Sequence, residues 1–492
     1  MSTSESGRRT FHLRLNEMVE QLRDGIRNGT YMQGSYLPTE KALAKQFGLS
    51  NKTVRKGLEQ LSSEGLIDKI PRVGSIVTKP DSSAETIPAV SSRPPVTLMV
   101  GCYSLTEREM LPSRVIDDFH EQFPSIRVQF IALNPDKNFM DTMKPCLDNG
   151  LIDAFTVKDR HFSQLVEAGY TFALEPQPNN AQLYPFLTTP FIVEHTLFAQ
   201  PLVFSPLVLA YNLQHFRESG VTEPDASWTW EDAIRYASQL SAPGLRYGLH
   251  FQVLLDERWP IFLLQSESDA HSTGSKSGLG IGEKWLEGIR LSKNIIRNHD
   301  IYPHSLYGNE GDVGNLFLQG KTSMIMTSYE ALNRFSKSRL EYDISSLPYI
   351  HEPRTLVTVT AIAVNKQSKH KPEAQCLADY LASPRAQQLI REHTLSIPSL
   401  KPAAEAPVVG EQPLNRPSRY NLYRDTIPGF RTYDDLKLPA AAIRPLHDTL
   451  KKYWSDLIDE RTLCEEIDAI AASSSLRPAQ AGQTSNANAR LG

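Results

Sequence analysis

The sequence predicts a multidomain chain, a small N-terminal α+β winged helix-turn-helix followed by a much larger α/β domain. Three observations carry that prediction. Residues 37–67, LPTEKALAKQFGLSNKTVRKGLEQLSSEGLI, hold two short amphipathic helices separated by a tight Gly-containing turn. From Val96 onward, short apolar runs alternate with helical stretches, the mark of βαβ units. Between the two regions, residues 80–95 (PDSSAETIPAVSSRPP) show no hydrophobic period and are rich in Ser and Pro, which reads as a linker.

Leu15, Met18, Leu22 and Ile26 recur at helical spacing and give a first helix with one core-facing stripe. In the next helix Ala42, Leu43 and Phe47 point one way, while Glu40, Lys41 and Lys45 point the other. Gly48 ends it, Leu49 plugs the corner, and Ser50 is a good N-cap for the helix that follows. There Val54, Leu58 and Leu61 recur at i, i+4, i+7 and belong to the core. The opposite face opens with Asn51, Lys52, Thr53 and Arg55, a dense set of hydrogen-bonding groups at a helix N-terminus. A DNA major groove accepts one helix, and the first turn of that helix meets base edges and phosphates. Gly65–Ile70 and Ser75–Val77 then alternate like two strands about a turn through Pro71, Arg72, Val73 and Gly74, a wing with a basic tip.

The order helix, helix, recognition helix, wing resembles the DNA-binding domain of GntR-family transcriptional regulators. LPTE, LAKQFGLS, TVRKGL, EGLI and the GSIV end of the wing match that family's pattern in register over residues 11–78. The resemblance implies basic DNA contacts at Lys41 and Arg55, backbone or base contacts at Ser50, Lys52 and Thr53, and minor-groove approach by Arg72 and Gly74. One position departs from the family: many members carry Arg directly after the capping Ser, whereas here Asn51 stands. Arg favours guanine and Asn favours adenine, so the operator sequence does not transfer from relatives.

Charge follows the same division. Residues 1–80 carry 13 Lys and Arg against 8 Asp and Glu, a net of +5, and the remainder carries 39 against 48, a net of −9, within a chain of 492 residues and net charge −4. A basic small domain on an acidic large one fits DNA binding confined to the N-terminus. The four cysteines, Cys102, Cys146, Cys376 and Cys464, are far apart with no C-x-x-C pair, which argues against a metal site or disulfide framework and suits a reducing cytoplasm. The most apolar stretch, Leu197–Leu213, is interrupted by Gln200, Pro201 and Pro206 and is too short to span a bilayer. With no apolar signal region at the N-terminus, a cytoplasmic protein is expected.

In the C-terminal region, apolar runs Val96–Val100, Ile126–Phe130 and Ile152–Val157 alternate with helical stretches Ser113–Phe123 and Phe139–Asp148, and a helix over Ala442–Ala472 precedes a polar tail. Residues 96–472 resemble the extracellular solute-binding proteins of sugar ABC transporters. VIDDFHEQFPSIRVQF (115–130), PLVLAYNLQHFRESGV (206–221), WTWEDAIRYASQLS (228–241) and GNLFLQGKTSMIMTSYEAL (314–332) run in that family's order. The resemblance implies a two-lobed α/β periplasmic-binding-protein-like fold of type 2, with a ligand clasped between the lobes. The expected organisation is a winged helix over 1–79, the linker 80–95, an effector domain over 96–472 and a disordered tail over 473–492.

Sugars present apolar ring faces edged with hydroxyls and call for aromatic plates beside polar side chains. The resemblance places Tyr103, Asp153, Trp259 and Tyr329 at ligand-contacting positions. Trp228 and Trp230 read instead as core residues at a helix start, and Tyr211 and Asn212 as architecture. No residue is expected to be catalytic, and none to bind metal or a cofactor: Thr273–Ser277 lacks the glycine pattern of a P-loop, there is no G-x-S-x-G elbow, and no H-x-x-x-H pair. The function implied is a transcriptional regulator whose grip on a double-stranded operator is set by a mono- or oligosaccharide, with no membrane partner. One winged helix makes few contacts and relatives read two-fold operators, so a homodimer is expected. Two alternatives stand beside it. The C-terminal domain is a ligand-free dimerisation scaffold, or it is an aminotransferase-like domain binding pyridoxal phosphate.

Overall fold

The N-terminal helices form where the sequence supplies their caps. In the computed structural model the first complete helix, α1 (Glu40–Phe47), starts at Thr39, whose hydroxyl accepts the Ala42 N–H at 3.3 Å. It stops at Gly48, whose φ of 61° is open to a residue without Cβ at little cost. The recognition helix α2 (Asn51–Ser63) opens with the Ser50 Oγ accepting the Thr53 N–H at 3.2 Å. Leu15, Met18, Val19, Leu22 and Ile26 pack with Leu43, Leu49, Val54, Leu58 and Leu61 into one small core. The wing follows as β1 (Ile67–Ile70) paired antiparallel with β2 (Gly74–Val77). Ile67 and Val77 face each other across it and close the bottom of that core.

The chain divides into two units, Met1–Arg93 and Pro94–Gly492. The structure describes isolated positions between 15 and 31, then residues 35–63, 66–70, 74–78, 95–102, 113–133, 139–266, 281–303, 310–407 and 414–475. The expected linker therefore lies almost wholly outside the described residues, as do Arg72 and Tyr103.

In the second unit, β3 (Val96–Cys102) pairs parallel with both β4 (Ile126–Ala132) and β5 (Ala154–Lys158). The helices α3 (Ser113–Gln122), α4 (Phe139–Asp148) and α5 (Asp159–Glu167) alternate with these strands, as the sequence pattern predicts. Beyond β5 the sheet becomes mixed: most pairs are antiparallel, while Tyr247–His250 pairs parallel with Thr322–Ser328. A long strand β6 (Gln200–Asn212), buried at every position, is crossed later by the ten-residue β10 (Thr355–Val364), and the two pair antiparallel. Short βαβ runs set the parallel expectation; the long buried strands β6 and β10, brought together from distant parts of the chain, pair antiparallel and overturn it at the centre of the sheet.

These two strands join two lobes. One end of β10 pairs with β5, and the far end of β6 pairs with β8 (Thr322–Ser328) and β9 (Tyr342–Ser345). Pro201 and Pro206 give β6 no N–H at two positions, and the register against β10 slips between Thr360 and Ala361. The first lobe is completed by α10 (Lys371–Leu381) and α11 (Pro384–His393), which pack with α3 on β3. Into the second lobe go α6 (Trp230–Leu240), β7 (Tyr247–His250), α7 (Pro260–Ser266), α8 (Ile281–Arg297) and α9 (Glu310–Leu318), with α12 (Ala440–Trp454) and α13 (Glu460–Ser475).

Helices α7 and α8 cross closely because Gly288 has no side chain: a Cβ there would sit 1.9 Å from the Phe262 carbonyl oxygen. Trp228 and Trp230 are buried in the second lobe's core, and Thr229 with Asp232 forms a capping box at the start of α6. The single terminal helix expected over 442–472 is two helices, α12 and α13. The break runs through residues 455–459, where Asp456 takes a φ of 58°.

Candidate DNA-reading face and effector cleft

Lys41, Ser50, Asn51, Lys52 and Arg55 are exposed on α1, on α2 and at the turn between them. The structure thus brings five of the eight expected DNA-contacting residues to one helix-turn-helix surface. Thr53 stands apart. It is 9% exposed, and its hydroxyl lies 2.8 Å from the Ser50 hydroxyl, so its first duty is to close the N-terminus of α2. Gly74 begins β2 and pairs with Ile70, while Arg72 lies outside the described residues. Arg55 is held in place: its Nε donates to Glu40 Oε1 at 3.2 Å and its Nη2 to Glu40 Oε2 at 2.9 Å. A two-pronged pair of this kind fixes the plane of a guanidinium. Glu40, from the LPTE segment, is therefore a positioning residue that the sequence reading passed over.

The expected sugar-stacking residues are placed differently. Tyr329 is 0% exposed, its hydroxyl donating to the Tyr420 carbonyl at 2.7 Å and accepting the Tyr423 N–H at 3.2 Å. Trp259 is also 0% exposed and stacks on His447 with ring centroids 5.4 Å apart. Neither offers a free ring face in this conformation. Asp153 is buried just before β5, where its carboxylate accepts the Met99 N–H at 2.7 Å and the Ser368 hydroxyl at 2.6 Å. That carboxylate ties β3 to the segment leading into α10. Tyr103 lies outside the described residues.

What faces the junction of the lobes is a network of charges that the sequence reading did not select. Lys158 ends β5 and Arg160 opens α5, both on the first lobe. From the second lobe come Asp256 and Glu257, on the segment between β7 and α7, and Glu330, just after β8. The Lys158 Nζ lies 3.4 Å from Glu257 Oε1 and 3.7 Å from Glu330 Oε2. Arg160 pairs with Asp256 through Nη1 and lies 3.9 Å from Glu257 through Nη2. The His447 Nδ1 sits 3.2 Å from Asp256 Oδ1, and the Tyr433 hydroxyl donates to the Asp256 carbonyl. Ser205, on β6, accepts the Glu330 N–H at 2.8 Å and sets that carboxylate at the mouth of the crossing strands.

Burial raises the carboxyl of Glu257, but attraction to Lys158 and Arg160 outweighs it and brings the group down to about 2. Burial pushes the neighbouring Asp159 the other way, up to about 7, only partly offset by the Val359 and Arg160 N–H groups. The signs differ in consequence. Glu257 contributes stability that is full above the ordinary carboxylate range and is lost as pH falls toward 2. Asp159 costs stability as pH rises from that range toward 7. The wild type's resistance to urea unfolding is therefore expected to fall between about pH 4.5 and 2, and Glu257→Gln is expected to show a smaller loss over that interval. Equal losses in the two proteins would remove Glu257 from the network.

Among the described residues no group of three or more His, Cys, Asp or Glu is arranged to hold a metal ion, and the four cysteines are free thiols. No described helix is long and apolar enough to cross a membrane.

Comparison with known proteins agrees with this division. Residues 15–77 match the model for bacterial regulatory proteins of the gntR family, and residues 106–388 match that for bacterial extracellular solute-binding proteins. The galactooligosaccharide-binding protein of Bacillus subtilis is 25% identical over 231 residues, covering 44% of this chain and 53% of that protein. The HTH-type transcriptional repressor NagR of the same organism is 41% identical over 64 residues, 13% of this chain and 26% of the repressor. The chain thus spans about half the length of the first relative and about a quarter of the second. Among solved structures, the ABC substrate-binding protein Lmo0181 from Listeria monocytogenes, in complex with cycloalternan, aligns with a TM-score of 0.63 at 16% identity. It covers 78% of this chain and 100% of its own. At that identity the likeness establishes the two-lobed fold. An aminotransferase-like C-terminal domain is excluded by that fold, and neither matching family is a catalytic one.

Proposed function

The chain belongs to the bacterial extracellular solute-binding protein family through its C-terminal unit and carries a gntR-family regulatory domain at its N-terminus; from that premise we propose that it is an effector-controlled transcriptional regulator. A sugar, bound between the lobes of the second unit, sets how tightly the winged helix holds its operator. The observation that carries this reading is the presence, in one chain, of an exposed helix-turn-helix surface and a two-lobed domain whose cleft is lined by polar groups. Lys41, Ser50, Asn51, Lys52 and Arg55 are the proposed DNA contacts, with Arg72 and Gly74 at the wing and Thr53 supporting the cap.

For the effector, Lys158, Arg160, Asp256, Glu257 and Glu330 supply both donors and acceptors, which is what a ring of hydroxyls requires. Tyr103 keeps its proposed place as an aromatic contact. Asp153, Trp259 and Tyr329 are proposed to shape the cleft from behind. The protein is proposed to act as a homodimer in the cytoplasm, where its operator is.

The test is a thermal-shift screen of the intact protein against mono- and oligosaccharides, followed by operator binding with and without each hit. A ligand that binds only the folded state raises the melting temperature in step with its concentration. The expected result is at least one saccharide that shifts melting and changes operator affinity. Saccharide binding with unchanged operator affinity removes the regulatory coupling. Failure of every sugar, with operator binding intact, favours the second unit as a dimerisation scaffold.

A further inference from the structure

The ion pairs at the cleft do more than line it. Four of them join the two lobes: the cations Lys158 and Arg160 stand on the first, and the carboxylates Asp256, Glu257 and Glu330 stand on the second. Four of the five side chains are between 12% and 25% exposed, so water reaches them poorly. Salt screens partly buried pairs much less than surface pairs. Removing one partner leaves the other charge buried without compensation, which costs more than the pair itself contributes.

A second bridge lies apart from the first. Glu167, at the end of α5 in the first lobe, accepts the N–H groups of Ala440 and Ala441, the latter at 3.1 Å. Those groups open α12, which packs in the second lobe's core, and a carboxylate at a helix N-terminus also meets the favourable end of the helix dipole.

We propose that these groups form an ion-pair clasp that closes the two lobes in the absence of any ligand. Two-lobed domains joined by a hinge exchange between open and closed forms, and a ligand shifts that balance only through contacts that differ between them. Here the closed form already has such contacts, made by the protein's own side chains. The effector then signals by exchanging into the clasp, rather than by drawing open lobes together. The inference concerns the cleft read above as the effector site, but its test needs no effector, so the two readings fail separately.

The test measures the distance between the lobes in the intact chain by double electron–electron resonance. Spin labels are placed at Arg114→Cys on α3 and Lys284→Cys on α8, both exposed, in a background where Cys146, Cys376 and Cys464 are serine. Dilution with unlabelled protein isolates the distance within one chain. The wild-type clasp is expected to give one short distance without sugar. Lys158→Met with Arg160→Met is expected to populate a longer one. Glu257→Gln with Glu330→Gln, on the opposite lobe, is expected to do the same, so that misfolding of one variant does not decide the matter. A charge swap, Lys158→Glu with Glu330→Lys, is expected to recover part of the short population. A long distance in the unliganded wild type overturns the clasp, and so does a short one that survives both double variants.

Discussion

Tyr329→Ala is expected to destabilise the second unit by about 3–5 kcal/mol, the range for removing a large buried aromatic side chain. The ring is fully buried and lies edge-on to Tyr420 and Tyr423, with centroids 5.3 Å and 6.0 Å away. Deleting it leaves a cavity that the two remaining tyrosines and the backbone around them cannot fill. Tyr329→Phe separates the two contributions. It keeps the ring but strands the Tyr420 carbonyl and the Tyr423 N–H, which costs about 1–3 kcal/mol for buried groups left without a partner. Urea unfolding of the intact protein measures both. A ligand-stacking tyrosine on an open cleft wall would behave otherwise: alanine would leave stability within about 0.5 kcal/mol of wild type, as surface substitutions do. That outcome would return Tyr329 to the ligand.

The fate of Tyr329 shows what sequence reading reaches and where it stops. The segment SYE after β8 does lie at the junction of the lobes, but the residue that faces the opposite lobe is Glu330, one position on. The same offset recurs nearby, where Trp259 is buried and the charges that meet the first lobe are Asp256 and Glu257. Adjacent residues leave the backbone in different directions, so family order locates a segment while the local turn decides which side chain is presented. Near the crossing of β6 and β10 that turn depends on pairing between residues about 150 positions apart, such as Val357 and Pro206, which no local pattern encodes.

The winged helix is the opposite case. Its caps, its apolar stripe and its exposed face are all local, and Ser50, Gly48, Val54, Leu58 and Leu61 stand where periodicity and turn chemistry put them. Even there contacts such as Glu40 to Arg55, an i to i+15 pairing, and Leu37 N–H to the Ser75 carbonyl are non-local, and no single element announces them on its own.

That pairing shapes the last expectation, which concerns Arg55. Its side chain is 60% exposed, and an exposed pair with Glu40 contributes only about 0–1 kcal/mol to folding. Arg55→Ala should therefore leave the stability of the first unit almost unchanged. Its effect on operator binding is expected to be larger, a loss of about 1–3 kcal/mol if the guanidinium reads a base edge. If it meets a phosphate instead, affinity falls on all sequences alike, and the slope of log affinity against log salt flattens by about one. Binding to operator and to random duplex at several salt concentrations distinguishes the two.

Glu40→Gln completes the argument. It preserves the side chain's shape but weakens the two-pronged hold on the guanidinium. If the hold orients Arg55 for a base, Glu40→Gln should lower operator affinity while leaving random-duplex affinity equal or higher, since one negative charge near DNA is gone. Should Arg55→Ala bind operator with wild-type affinity and an unchanged salt slope, Arg55 is an ordinary solvated residue, and the reading face must be carried by Asn51 and Lys52.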